Sequence, residues 1–179
     1  MARYAAFLRG MNVGGHRLSN ADLRVLFADM GFADPACFRA SGNVVFAAER
    51  EPAGAVQGRI EEGLAASLGY EVPVFLRTRE QVLAIGALSP FPAEALSSAG
   101  KPQVALLEKP LAPRARADIS ERAGDSDLVA FGPLELHWLP RAGVLDSALD
   151  MLSIEAITGP MTMRTIRTVR ELAAKHMSA

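Results

Sequence analysis

The residue types best suited to ligand chemistry gather in a glycine-rich loop, residues 9–15, that follows an apolar run. The loop precedes a helical pattern, so its backbone N–H groups and the positive end of the helix dipole could face an anion. Gly14 and Gly15 let the backbone approach a ligand, and Arg9 offers a planar donor fork. Asn12 could bond a ligand or hold the loop. We expect an anion-binding or catalytic loop; the alternative is a tight turn with Arg9 in an internal salt bridge.

This loop matches neither of the two common phosphate-binding motifs. No Gly-Lys-Ser/Thr follows it, and its glycine spacing differs from the dinucleotide fingerprint. A second polar group forms a turn in which Ser41 and Asn43 flank Gly42. Ser41 has no base partner in the sequence, so it is not predicted as a nucleophile. Because neither motif is present, the sequence indicates no particular cofactor, and the cofactor is unknown.

The histidines and the single cysteine show no metal-ligand spacing, so no metal site is predicted. His137 alternates with apolar residues in a strand-like run, and we expect it on a sheet surface. His176 is expected in a frayed chain end, and His16 in a solvent-facing loop, although it could also act as a base. Cys37 is expected to serve as a small strand hydrophobe.

Composition excludes several function classes. Half of the 179 residues are hydrophobic, and the net charge of −1 provides no basic field, which argues against nucleic-acid binding. No apolar run approaches the ~20 residues of a membrane span, and the N-terminal apolar run is too short for a signal peptide. One cysteine allows no intrachain disulfide. We therefore expect a cytoplasmic protein with no membrane contact; its oligomeric state cannot be read.

The first 77 residues contain six elements in the order of a split βαβ unit. Ser19 with Asp22 predicts a capping box, and Gly31 a helix end. Pro73 predicts that the fourth strand lies at a sheet edge. The predicted strands and helices cover residues 4–8, 19–31, 37–40, 44–47, 53–68 and 72–76. This order predicts a ferredoxin-like fold in which the first and third strands are neighbours.

The same order recurs after a helix and linker at residues 78–101. Strands are predicted at residues 103–107, 128–131, 134–139 and 161–164, and helices at 113–123 and 143–154, with a final helix after them. The prediction is an α+β chain with two ferredoxin-like (βαββαβ) units, residues 1–77 and 102–179, each with an antiparallel sheet, and an extra C-terminal helix.

Three stretches carry a resemblance to a known family. Residues 4–15 (YAAFLRGMNVGG), 41–46 (SGNVVF) and 162–168 (TMRTIRT) resemble, in order, the signatures of the bacterial domain-of-unknown-function 1697 (DUF1697) family. The resemblance implies a tandem of ferredoxin-like units and brings no established reaction. Thr165 and Ile166 stand where the family usually has Asn and Trp. If that pair contacts a ligand, an aromatic platform and an amide are lost here.

Two function classes follow from these residues. The first is binding, with turnover left open, of a small anionic or phosphorylated ligand at a cleft between the units. Its predicted site residues are Arg9, Asn12, Gly14, Gly15, Ser41, Asn43 and Arg164. The second is a non-enzymatic protein-interaction module in which the signatures are structural. An RNA-recognition function is not favoured, because the predicted strands lack the aromatic pattern that such domains use to stack bases.

Overall fold

The computed structural model describes residues 1–11, 18–39, 42–145, 147 and 149–178. The chain divides into two compact units, one formed by Met1–Ala84 with Leu172–Ala179 and the other by Ile85–Glu171. Each unit contains a four-stranded antiparallel sheet with helices packed on it. In the described part of the chain, no helix has the length and apolar character needed to cross a membrane.

The first sheet has the strand order β2-β3-β1-β4. Its strands are β1 (Ala2–Leu8), β2 (Ala33–Cys37), β3 (Asn43–Ala48) and β4 (Val74–Thr78). Helices α1 (Asn20–Asp29) and α2 (Ala53–Leu68) cover one face. That face carries the even-numbered residues of β1 and β3, because successive strand side chains point to opposite sides. Phe46 packs there against Phe27 and Phe32.

Local chemistry explains where these helices begin and end. The Ser19 and Asp22 side chains form the predicted capping box at the start of α1. Gly31 and Gly69 follow α1 and α2 with φ of 83° and 79°, a conformation that glycine adopts without a Cβ penalty. The apolar stripe of α2, which includes Val56, Ile60 and Leu64, is fully buried.

The second strand lies earlier than predicted. Residues 37–40 were expected to form it, but β2 ends at Cys37 because the chain turns at Phe38. The Phe38 N–H donates to the Asn43 carbonyl at 2.9 Å, and Arg39 has a φ of 60°. Pro35 within β2 is tolerated because β2 is an edge strand. β4 likewise begins after Pro73, and its predicted edge position is confirmed.

Two helices occupy the region after the first sheet. Helix α3 (Arg79–Ala87) begins with a Thr78–Gln81 capping pair: the Gln81 Oε1 accepts from the Thr78 N–H at 2.9 Å. Helix α4 (Ala93–Ser98) also lies within residues 78–101, where the sequence predicted one helix and a linker. Pro92 is the N-cap of α4. Proline is tolerated at a helix start because the backbone N–H that it lacks would have no partner within the helix there.

The second sheet repeats the topology of the first, with the order β6-β7-β5-β8. Its strands are β5 (Gln103–Leu107), β6 (Asp127–Phe131), β7 (Glu135–Pro140) and β8 (Met161–Thr165). Helices α5 (Pro113–Ala123) and α6 (Met151–Thr158) pack on the face that carries Trp138 and Ala105. The predicted α+β tandem of ferredoxin-like units is confirmed.

Helix α6 begins later than predicted. Residues 143–154 were expected to be helical, but Asp150 forms the cap, accepting from the N–H groups of Leu152 and Ser153. Gly143 has a φ of 111°, which lies outside the helical region. The predicted final helix is present as α7 (Ile166–His176), which buries Ile166, Val169 and Leu172.

Candidate functional site

Arg9 and the turn before β3 share one end of the first sheet. The Leu8 N–H donates to the Gly42 carbonyl at 2.8 Å, and Phe7 pairs with Asn43 across the ladder. Arg9 comes directly after β1, and its N–H donates to the Pro73 carbonyl at 3.1 Å. Two of the predicted site residues, Arg9 and Asn43, therefore lie near each other at this end.

Four predicted site residues, Asn12, Gly14, Gly15 and Ser41, lie outside the described residues, as does His16. The start of the glycine-rich loop is described. Gly10 has a φ of 69°, and the Met11 carbonyl accepts a hydrogen bond from the Tyr70 hydroxyl at 2.7 Å. The Met11 side chain is buried in the core. The first sheet therefore anchors the loop at its N-terminal side.

The side chain of Asn43 is buried and stabilises the turn before β3. It is 1% exposed, and its side-chain amide donates to the Phe38 carbonyl at 3.0 Å. Gly42 has a φ of 69°, and a Cβ there would lie 3.1 Å from the Leu8 Cβ, so the turn requires glycine. The signature around Asn43 thus has a structural explanation in this chain.

The N-terminus of α1 already holds a carboxylate of the protein itself. The Ser19 backbone N–H and hydroxyl donate to Asp22 Oδ2 at 3.0 and 2.6 Å. Hydrogen bonds from the Ser19 hydroxyl and then its backbone lower the pKa of Asp22, so it stays ionised at neutral pH. This negative charge complements the helix dipole and opposes a second anion at the same place.

Arg164 lies on β8 in the second unit, where it pairs with Val104. Its Nη1 donates to Thr162 Oγ1 at 2.9 Å and to the Met163 carbonyl at 2.8 Å. Burial lowers the pKa of Arg164 to about 10, so it remains a cation at neutral pH. Its convergence with Arg9 stays a prediction.

The two residues that depart from the family signature have structural uses. Thr165 Oγ1 accepts from the Thr168 N–H at 3.2 Å, which is the contact of a helix cap at the start of α7. Ile166 is 7% exposed. An apolar side chain and a capping hydroxyl therefore replace the family's usual Asn and Trp.

A group of basic residues that the sequence did not single out lines a pocket of about 300 Å³ in the first unit. Arg3 comes from β1, and Lys175 and His176 come from the end of α7; among the described residues, Ala174 and Ser178 also line the pocket. We call this group the cationic pocket. The separation of Arg3 and His176 along the chain hides it from any local motif.

The described residues do not balance the charges of the cationic pocket. Among the described residues, no carboxylate forms an ion pair with Arg3, Lys175 or His176. Arg3 Nε and His176 Nε2 are buried and have no hydrogen-bond partner in the described part of the chain. Burial lowers the pKa of His176, and the charges of Lys175 and Arg3 lower it further.

The expectation that His176 frays was wrong. Helix α7 extends through His176, and its ring meets the Phe38 ring edge-on at a centroid distance of 6.0 Å. The nearby Arg79 Nε donates to the Met177 carbonyl at 2.6 Å and holds the chain beyond the helix. The imidazole is thereby fixed in the cationic pocket.

The other histidine and the cysteine have different surroundings. The expectation of a sheet-surface His137 was wrong: it is 2% exposed, because both faces of β7 are covered. Cys37 is half-buried on β2, and its Sγ donates to the Asn20 carbonyl at 3.3 Å. Burial raises the pKa of its thiol, which keeps it protonated. The described residues contain no group of metal-ligating side chains.

Comparison with known proteins supports the fold. A family model described as "Protein of unknown function (DUF1697)" matches residues 1–136. The solved structure of the conserved bacterial protein SP0830 from Streptococcus pneumoniae is similar, with a TM-score of 0.71 and 19% identity over 97% of each chain. At that identity, the likeness concerns the fold alone. No curated protein matches the sequence.

Proposed function

The chain belongs to the DUF1697 family of proteins of unknown function, and from this premise we propose that it binds a small anionic ligand, of phosphate type, in the cationic pocket. The observation that carries the proposal is that three basic side chains line one pocket and have no acidic partner among the described residues. The ligand class is the one expected from the sequence, but the pocket differs from the loop that the sequence favoured.

The donors of the pocket match an oxyanion with several oxygens. A buried N–H without a partner costs ~1–3 kcal/mol, so Arg3 Nε and His176 Nε2 favour any ligand that accepts from both. Hydrogen bonds between charged groups are about twice as strong as neutral ones. A dianion fits best, because Arg3 and Lys175 supply two positive charges and His176 can supply a third.

The lining of the cationic pocket suits a small polar ligand better than a ligand with a large apolar part. Ala174 and Ser178 are the other described lining residues, and neither offers a large apolar surface. The Ser178 hydroxyl donates to the Ala173 carbonyl at 3.1 Å, which leaves its lone pairs free to accept from a ligand hydroxyl. A phosphorylated metabolite with a neighbouring hydroxyl would use all of these groups.

Binding of inorganic phosphate, followed by isothermal titration calorimetry, tests the proposal. We expect Arg3→Gln and Lys175→Gln each to weaken phosphate binding about tenfold, the effect of losing roughly 1.4 kcal/mol. Arg114→Gln is the matched control, since it removes the same charge from an exposed position in the second unit. Equal phosphate affinity in Arg3→Gln and in the unaltered protein would reject the cationic pocket.

The alternative, a non-enzymatic interaction module, is favoured by one observation. The side chain of Asn43 holds the turn that carries the second signature, so that signature needs no ligand. Under this alternative, no small anion binds to the cationic pocket and the signature residues contribute only stability. The phosphate titration separates the two functions.

The setting we propose is the cytoplasm. This agrees with the single cysteine, Cys37, which is a free thiol. Nucleic acid is not among the partners we propose, because the net charge of −1 supplies no attraction for a polyanion beyond the pocket itself.

A further inference from the structure

Strand β6 (Asp127–Phe131) forms one edge of the second sheet, and in the described part of the chain its only paired neighbour is β7. The Gly132 N–H donates to the Glu135 carbonyl at 2.8 Å, just beyond the strand. Hydrogen-bonded pairs alternate along an antiparallel ladder, so the backbone N–H and C=O groups of Val129 and Phe131 point away from β7. This side of β6 can therefore accept another strand.

The edge strand in the same place of the first sheet carries features that oppose such pairing. β2 contains Pro35, and Asp34 has a φ of 49°. The register of β2 with β3 shifts between Ala33 and Ala36. Proline and an irregular register are two of the ways in which edge strands avoid pairing with another chain. β6 contains no proline, and its register with β7 is continuous.

β6 also presents no charge along its edge. Residues 128–131 are apolar and half-buried. The one charged residue, Asp127, is 4% exposed, because its carboxylate accepts from Trp138 Nε1 at 2.9 Å and from the Arg141 N–H at 3.0 Å. The Ser147 hydroxyl donates to the same carboxylate. An apolar edge strand without an exposed charge is the kind that pairs with another chain.

Opposite charges lie beside the two ends of β6. At the C-terminal end, the Arg116 guanidinium lies 5.7 Å from the centre of the Phe131 ring, and its Nη2 donates to the Gly132 carbonyl at 3.5 Å. At the N-terminal end, the Asp125 side chain is exposed. Neither Arg116 nor Asp125 forms an ion pair with another described residue. The edge therefore has a basic end and an acidic end.

We propose that β6 pairs with β6 of a second copy of this chain, antiparallel and centred on Val129. A two-fold axis at Val129 sets Phe131 opposite Asp127 of the second copy, and the outward backbone groups exchange about six hydrogen bonds. The same axis brings Arg116 to Asp125 of the second copy, twice per dimer. Only the antiparallel arrangement joins unlike ends, so the charges select a second copy in this orientation.

Sedimentation velocity of the full chain from about 10 µM to about 1 mM tests the proposal. An interface built on one short strand is small, so we expect a weak dimer with a Kd of about 100 µM. Amide hydrogen exchange identifies the surface. The Val129 and Phe131 amides should exchange more slowly at the higher concentration, whereas the Ala130 amide, which faces β7, should change little.

A charge reversal tests the orientation of the two strands. Asp125→Arg and Arg116→Glu should each weaken the dimer about tenfold, because each places like charges together. The variant with both changes should recover most of the affinity, since the ion pairs form again with their signs exchanged. Arg114→Glu is the matched control: it reverses an exposed charge in the same helix, about 200° around the axis from Arg116.

Val129→Pro removes an outward N–H and leaves the hydrogen bonds to β7 in place. Edge strands tolerate proline where the N–H faces solvent, so this variant should fold and stay monomeric at about 1 mM. An unaltered protein that is monomeric at that concentration would overturn the proposal. A dimer that leaves the Val129 amide unprotected would overturn it too, because the contact would lie elsewhere. Neither result affects phosphate binding to the cationic pocket, so the two proposals fail separately.

Discussion

Arg3 lies on the first strand and His176 ends the last helix, yet Arg3 is one of the groups that set the pKa of His176: burial lowers it most, then the charge of Lys175 and the charge of Arg3. Both side chains line the cationic pocket, and each has a buried nitrogen without a hydrogen-bond partner in the described part of the chain. A bound anion would satisfy both nitrogens at once.

Phosphate binding should raise the pKa of His176. In the free protein, burial and the neighbouring charges of Lys175 and Arg3 hold that pKa below its usual value near 6.5. A bound dianion favours the charged ring, so at a fixed pH phosphate binding should raise the pKa of His176. A histidine NMR titration with and without phosphate measures the change. An unchanged His176 pKa at saturating phosphate would place the anion elsewhere.

Burial of His137 should make the protein less stable in mild acid. Its folded-state pKa lies below the unfolded value near 6.5, so the unfolded chain binds more protons. The free energy of unfolding should therefore decrease as the pH falls through 6.5, and continue to decrease until the folded-state pKa is reached. Urea unfolding from pH 8 to pH 5 measures this, and His137→Gln should flatten the curve. An unaltered slope in that variant would show that His137 does not contribute.

Asn43→Ala should destabilise the first unit by ~1–3 kcal/mol, because the Phe38 carbonyl loses the buried amide that donates to it. Asn20→Ala is the matched control, since its amide makes only a long, exposed contact of 3.4 Å to the Arg39 carbonyl. Urea denaturation of both variants provides the comparison. Equal stability of the two would contradict the structural role of Asn43.

Two glycine-to-alanine substitutions should change the free energy of unfolding in opposite directions. Gly42→Ala places a side chain at a φ of 69° and 3.1 Å from the Leu8 Cβ, and should cost at least ~1–2 kcal/mol. Gly58→Ala lies inside α2, where a Cβ meets no atom within 4 Å, and should stabilise by ~0.5–1 kcal/mol. Thermal unfolding midpoints of the two variants should therefore move in opposite directions. A Gly42→Ala variant as stable as the unaltered protein would show that the turn adapts.

Local patterns were sufficient for most elements of the fold. The Ser19–Asp22 capping box and the stripe through Val56, Ile60 and Leu64 are contacts between residues a few positions apart, so spacing alone predicts them. The repeated order of strands and helices also predicted both sheets, since the ferredoxin-like connection allows one strand order. The strand at residues 37–40 was misplaced, because the Phe38–Asn43 hydrogen bonds that end β2 depend on the pairing with β3.

By itself, the sequence determined the order of strands and helices within each sheet unit and the cap at the start of α1, because these depend on residue type and short spacing. Only the tertiary structure decided which charges meet. Arg3 reaches Lys175 and His176 because the end of α7 packs within the first unit, and His137 is buried because both faces of β7 are covered. Burial and electrostatic neighbours depend on contacts between residues far apart in the chain, and no local pattern encodes them.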